Sequence, residues 1–111
     1  MNPQLMQEID VLHANICDAL ADSKRIALLY ALREGATTVS QLAETLDLPQ
    51  ATTSRHLKIL RERGLVGARR DGMSVYYSLT NDKVLNALDL LREVLNENLA
   101  HGARLIQALG A

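Results

Sequence analysis

Phenylalanine and tryptophan are missing from this chain, and only three tyrosines stand in for them. Cores of β-sheet draw on aromatic and β-branched side chains. Their scarcity points instead to helices packed through leucine, alanine, valine and isoleucine, the bulk of a composition that is 48 % hydrophobic. Cysteine occurs once, which rules out an intramolecular disulfide framework and fits a reducing compartment, the cytoplasm. No apolar run nears the roughly 18 residues that span a bilayer. The opening residues Met1-Asn2-Pro3-Gln4-Leu5 lack the basic and apolar regions of an export signal, so neither membrane insertion nor export is expected. Also absent are a glycine-rich phosphate loop, an HExxH and a CxxC. Ser54 and His56, two residues apart, point to different faces of a helix and make no nucleophile and base pair, so no enzyme is expected. Repeats, low-complexity tracts and linkers are missing too. A chain of 111 residues suits one domain, 1–111, whose core is small enough that a partner chain would help it.

What is present is a concentration of positive charge. Residues 54–70 hold Arg55, Lys58, Arg61, Arg63, Arg69 and Arg70, six of the twelve Lys and Arg, against Glu62 alone. That segment carries +5 and the rest of the chain −6, so a formal net charge of −1 hides a basic patch. A merely solvated helix face mixes both signs along i, i+4 pairs, whereas clustered cations on one helix and the ribbon after it form a footprint for a phosphate backbone.

The periodicity divides the chain into helices and one ribbon. Asn2 and Pro3 read as a cap and first helical position, and Leu5, Ile9, Leu12, Ile16 and Leu20 recur at helical spacing, which predicts a helix to about Ala21. Asp22 and Ser23 cap a second helix of about twelve residues that turns Ile26, Leu29, Tyr30 and Leu32 inward and meets a left-handed stop at Gly35. Thr38 and Gln41 form a capping box ahead of Leu42, Ala43 and Leu46. Asp47-Leu48-Pro49 then makes a turn in which Asp47 tolerates a left-handed backbone, and another helix starts near Gln50. Leu65 to Arg70 and Met73 to Leu79 are rich in β-formers and flank Asp71-Gly72, a two-residue hairpin signal. Thr80 is placed to cap a last helix through about Gly102, extended or restarted to Leu109. The expected fold class is mainly α with a small β-hairpin: a winged helix-turn-helix with the helix-turn-helix at about 38–63, the wing at about 65–79, and terminal helices at about 3–21 and 81–109 that form a dimer.

Ala19-Leu20-Ala21-Asp22-Ser23-Lys24-Arg25, the helix from Val39 to Leu46, Thr53-Ser54-Arg55-His56-Leu57-Lys58-Ile59-Leu60, and Arg70-Asp71-Gly72-Met73-Ser74-Val75-Tyr76-Tyr77-Ser78-Leu79 together resemble the ArsR/SmtB family of bacterial repressors. The resemblance covers roughly residues 12 to 100 and rests on the order and spacing of these pieces. It implies a twofold dimer held by the terminal helices on a palindromic operator of double-stranded DNA, with family DNA contacts mapping onto Gln50, Ser54 and Arg55.

The residues themselves suit that reading. On a wheel for residues 50 to 63, Thr53, Leu57 and Leu60 share a core arc, while Gln50, Ala51, Ser54, Arg55, Lys58, Arg61 and Glu62 face outward. Gln pairs with adenine N6/N7, Arg with guanine O6/N7 and Ser with several base edges, and Lys58 and Arg61 lie further along toward phosphates. Arg69 and Arg70, just before the hairpin turn, would reach the flanking backbone or minor groove. The expected DNA-binding set is therefore Gln50, Thr52, Ser54, Arg55, Lys58, Arg69 and Arg70. His56, on the shoulder of the core arc, is expected to pack or anchor the helix rather than ligate a metal. On the last helix Val84, Leu85, Ala87, Leu88, Leu90, Leu91, Val94, Leu95 and Leu99 leave only a narrow polar arc, a wider apolar face than a small core covers, and the first helix shows a similar stripe.

The resemblance also implies release from DNA by an effector, often a metal. The family's arsenic-type ligand positions map onto Thr38, Ser40 and Ala43, none a thiolate. Its zinc-type positions map onto Asn81, Lys83, Val94 and Glu97, of which only Glu97 is a plausible ligand. The paired-thiol sensors need two cysteines, and Tyr30 stands at one of the matching positions. No cofactor is expected. What remains is His13 and Cys17 at i, i+4, with Asp10 one turn before and His101 near the far end. Interface packing is the default for them. The alternatives are a soft metal ion shared across the dimer interface and a single-thiol switch at Cys17. A small effector of unidentified chemistry completes the set of expected partners, and a winged helix used for protein association without specific DNA binding is the other functional reading.

Overall fold

The computed structural model describes residues 1–110. Helix α1 (Pro3–Leu12) opens on Asn2, whose side-chain oxygen accepts from the Gln4 and Leu5 amides at 2.7 and 3.4 Å. The helix does not continue regularly to Ala21 as its periodicity suggests. From His13 to Cys17 it widens into a π-turn, and helical backbone ends at Ala19. There the Asp18 N–H bonds to the carbonyls of His13 and Asn15 and bypasses that of Ala14. The Arg63 guanidinium donates to that bypassed carbonyl at 2.9 Å. Apolar spacing alone does not register an inserted residue whose partner lies in another helix.

Helix α2 (Ser23–Ala31) starts on the Asp22 carboxylate, which accepts from the Lys24 amide at 2.8 Å. It tightens into a 3₁₀ turn over Leu32–Glu34. Gly35 stops it as expected, though at φ 123° and ψ 177°, a mirror-extended conformation open to glycine rather than the left-handed helical one. Helix α3 (Val39–Leu46) is capped by Thr38, whose Oγ1 accepts from the Gln41 amide at 3.2 Å. Helices α3 and α4 (Gln50–Glu62) end alike. Asp47 at φ 52° and Gly64 at φ 77° each turn left-handed, and the next amide reaches back, Leu48 to Ala43 and Leu65 to Leu60.

The ribbon pairs β1 (Val66–Asp71) with β2 (Ser74–Leu79) antiparallel, Asp71 opposite Ser74. Its loop is therefore Gly72-Met73, one residue later than Asp71-Gly72. A turn on Asp-Gly would force a positive φ on Asp71. With Gly72 at φ 63° and Met73 free of that demand, the glycine alone takes the left-handed position. A second tie was not legible in the sequence. Thr37, just before α3, exchanges two backbone hydrogen bonds with Tyr77 at 3.0 and 2.7 Å and so pins the ribbon to the helix-turn-helix.

Helices α2, α3 and α4 pack on one another and β1 packs on α4. Leu28, Leu29, Leu42, Leu57, Leu60 and Thr53 form the fully buried centre. The chain divides into two compact units, Met1–Asn81 and the segment from Asp82 onward. The second unit is helix α5 (Lys83–Gly110), unbroken past Gly102. It begins later than Thr80, whose hydroxyl instead donates to the Gly64 carbonyl at 2.8 Å; the first helical carbonyl is that of Asp82, bonded by the Asn86 amide. Leu85 and Leu88 of α5 are buried, while Leu91, Val94, Leu95, Leu99, Leu105 and Ile106 are exposed.

Candidate nucleic-acid interface

Helix α4 sorts its residues as the wheel requires. Thr53, His56, Leu57 and Leu60 are buried, and Gln50, Ser54, Arg55, Lys58 and Arg61 are exposed; Thr52 lies at the boundary, half-buried. Among the described residues Arg55, Lys58, Arg61 and Arg70 make no salt bridge, so their charge is open to a partner.

Strand alternation separates the two ribbon arginines. Val66 is buried, so the face shared by Val66, Ala68 and Arg70 with their partners Leu79, Tyr77 and Val75 is the inner one, toward α4. Arg70 accordingly joins Arg61, Ala68 and Val75 around a cleft of about 350 Å³. Arg69 points the other way, its guanidinium 5.9 Å from the Tyr76 ring centroid. At the opposite end of α4 a second cleft, of about 310 Å³, is lined by Thr38, Val39, Ser40, Gln50, Met73, Ser74 and Val75. The first turns of α3 and α4 border it, bringing hydroxyls and unpaired helical amides together.

Arg63 does not belong with the exposed cations. Its Nη1 donates to the carbonyls of Ala14 and Asn15 at 2.9 and 2.7 Å, and its Nη2 meets the Asp18 carboxylate at 2.9 Å. The basic patch is thus one charge smaller than the sequence count. No local signal marks this, because the partners lie 45 to 49 residues earlier in the chain.

His56 is only 6 % exposed and anchors α4, as expected. The Arg25 Nη1 lies 3.3 Å from its Nδ1, while other nitrogens of the same guanidinium donate to the carbonyls of Ala19 at 2.7 Å and Asp18 at 3.1 Å. Guanidinium has no acceptor, so Nδ1 accepts and the ring is neutral with its proton on Nε2. Burial holds the His56 pKa below its usual value; the Asp22 carboxylate opposes this, and Arg25, Arg55 and Lys24 reinforce it. The Lys24 amide bonded to the Asp22 cap holds that carboxyl below the usual carboxylate range. In the sequence Arg25 has no role beyond its place in the stretch 19–25, because its partner His56 lies 31 residues away.

His13 and Cys17 lie exposed on the π-turn and His101 on α5. Among the described residues no three His, Cys, Asp or Glu side chains gather into a metal-binding group. None of the described helices is long and apolar enough to cross a membrane.

Comparisons with known proteins agree with this architecture. The nodulation protein NolR of Rhizobium meliloti is 35 % identical over 77 % of this chain and 70 % of its own length. The transcriptional activator HlyU of Vibrio cholerae is 31 % identical over 85 % of this chain and 87 % of its own. A structure from Mycobacterium bovis, described as a homodimeric winged helix-turn-helix DNA-binding domain and a possible ArsR-family transcriptional regulator, superposes with a TM-score of 0.76 at 30 % identity, covering 91 % of this chain and 93 % of that one. A profile of bacterial regulatory proteins of the arsR family matches residues 22–67, from the Asp22 cap through α4 to the first strand. The chain belongs to the arsR family of bacterial regulatory proteins, winged helix-turn-helix transcriptional regulators rather than enzymes.

Proposed function

We propose that two copies of this chain bind a palindromic operator in the cytoplasm and repress transcription from it until a small effector releases them. The observation that carries this reading is the outward face of α4. Gln50, Ser54 and Arg55, donors and acceptors matched to base edges, occupy its first two turns, and Lys58 and Arg61, which make no salt bridge among the described residues, follow. Gln50, Ser54 and Arg55 read bases, with Thr52 at their edge. Lys58 and the Arg61–Arg70 cleft take backbone phosphates, and Arg69 reaches the neighbouring backbone from the outer face of the ribbon.

The second copy is called for by exposed apolar surface. Leu5, Met6, Ile9 and Leu12 on α1 remain 38 to 48 % exposed, and Leu91, Val94, Leu95 and Leu99 on α5 remain 51 to 62 % exposed. A twofold partner covers them with the same faces of its own and sets two recognition helices about 34 Å apart, one turn of DNA. Selection of bound duplexes from a random library tests the reading. An inverted repeat with half-sites about one turn apart is the expected product; a pool with no common sequence points to protein association instead. Titrating the selected complex with Zn(II), Cd(II), As(III), peroxide and persulfide, with Cys17→Ser alongside, then reads the effector.

A further inference from the structure

The hydrogen bonds of Arg63 form a strut between two helices that the regulatory reading assigns to different tasks. Arg63 is the capping residue of α4, the reading helix, and it sits one residue before the left-handed Gly64 that fixes where the chain leaves. Its acceptors are the carbonyls of Ala14 and Asn15 in the π-turn after α1 and the carboxylate of Asp18, the residue that caps that turn. A regular α-helix would have committed the Ala14 carbonyl to the Asp18 amide, so the widened turn is what creates the socket. From the other side Arg25 of α2 holds the carbonyls of Asp18 and Ala19. The end of α1 is thereby gripped by two planar forks, each fixed in direction as well as distance. The preceding turns of that helix carry the exposed stripe Leu5, Ile9 and Leu12.

We propose that Arg63 is a positioning residue that sets the half-site spacing the dimer recognises, by locking the reading helix to the helix that holds the two copies together. This rests on the dimeric reading of the proposed function. One base pair of slip moves a half-site by about 3.4 Å along the duplex and rotates it by roughly 35° about the axis, so discrimination between spacings requires the angle between α1 and α4 to be stiff. The Arg63–Asp18 pair itself is partly solvent-exposed, at 28 % and 58 %, which makes the strut a weak source of stability but a directional one.

The test measures binding of the intact protein, by fluorescence anisotropy, to inverted repeats whose half-sites are moved closer or apart by one and two base pairs. Wild type is expected to favour one spacing by about tenfold or more, and Arg63→Ala to bind all spacings within about threefold, with affinity for random DNA and the salt slope unchanged. Arg63→Lys, which keeps the charge but loses the fork, is expected to fall between them and serves if the alanine variant folds poorly. A role confined to stability would lower the melting temperature and weaken every spacing equally, and that result, or a spacing preference retained in both variants, overturns the proposal. Wild type that fails to dimerise or ignores inverted repeats would instead overturn the underlying dimer reading.

Discussion

The helix-turn-helix body and the terminal helices make opposite use of leucine. In the body Leu57 and Leu60 are fully buried on α4, the helix that packs against α2, α3 and β1. On α5 Leu95, of the same size and on a helix of similar amphipathic character, is 55 % exposed. One region has closed its core within a single chain and the other has not. A chain that leaves aliphatic stripes on both end helices but none on its body has divided itself into a part that folds alone and parts that wait for cover.

The contrast can be broken most forcefully in the body. Leu57→Ala should cost about 2–5 kcal/mol of unfolding free energy, read by urea denaturation, because the rigid surroundings cannot collapse on the cavity. On α5 the expected effect is of another kind. Leu95→Glu should raise the dimer dissociation constant by about a hundredfold while far-UV circular dichroism stays that of the folded chain, since the carboxylate is solvated in the monomer and costly only when covered. Loss of fold from Leu95→Glu, or an unchanged dimer, would erase the distinction.

Much of this division is legible in the sequence, and the reasons are local. The Thr38 cap, the left-handed Asp47 and the apolar spacing of α4 all follow from residues within a few positions of one another, which is why the helix-turn-helix emerges with nearly correct boundaries. The misreadings are long-range. The π-turn, the withdrawal of Arg63 from the basic patch, the Arg25–His56 hydrogen bond and the Thr37–Tyr77 bridge each pair residues 31 to 49 positions apart. Periodicity carries no record of such pairs. The one-residue shift of the hairpin loop is a local miss, decided by which residue takes the positive φ.

Within the body the exposed cations divide further. Arg55→Ala should cost about 1–3 kcal/mol on the selected operator and relax base preference at one position in each half-site. Arg70→Ala should weaken operator and random DNA alike and make the salt slope shallower by about one for each phosphate that the arginine had neutralised. Equal behaviour of the two variants on both kinds of DNA would remove the division between readers and grippers.

The smallest expected effect concerns His56. Its folded pKa is depressed by burial, so below its ordinary value of 6.5 the unfolded chain binds more protons than the folded one, and stability falls as pH drops. Urea midpoints at pH 7.5 and about 5.5 should differ, with a slope no steeper than about 1.4 kcal/mol per pH unit, and His56→Gln, which keeps an acceptor for Arg25, should flatten the dependence. The Asp22 cap does not interfere, because its lowered pKa places its loss of stability at still more acid pH.

The most direct measurement is the stoichiometry and salt dependence of binding to an inverted-repeat duplex, followed by analytical ultracentrifugation over a range of ionic strengths. Two chains per duplex, with log K falling against log salt at a slope near −7 for about eight phosphates met by Lys58, Arg61, Arg69 and Arg70 of both copies, is the expected outcome. One chain per duplex, or an affinity indifferent to salt, would contradict the account.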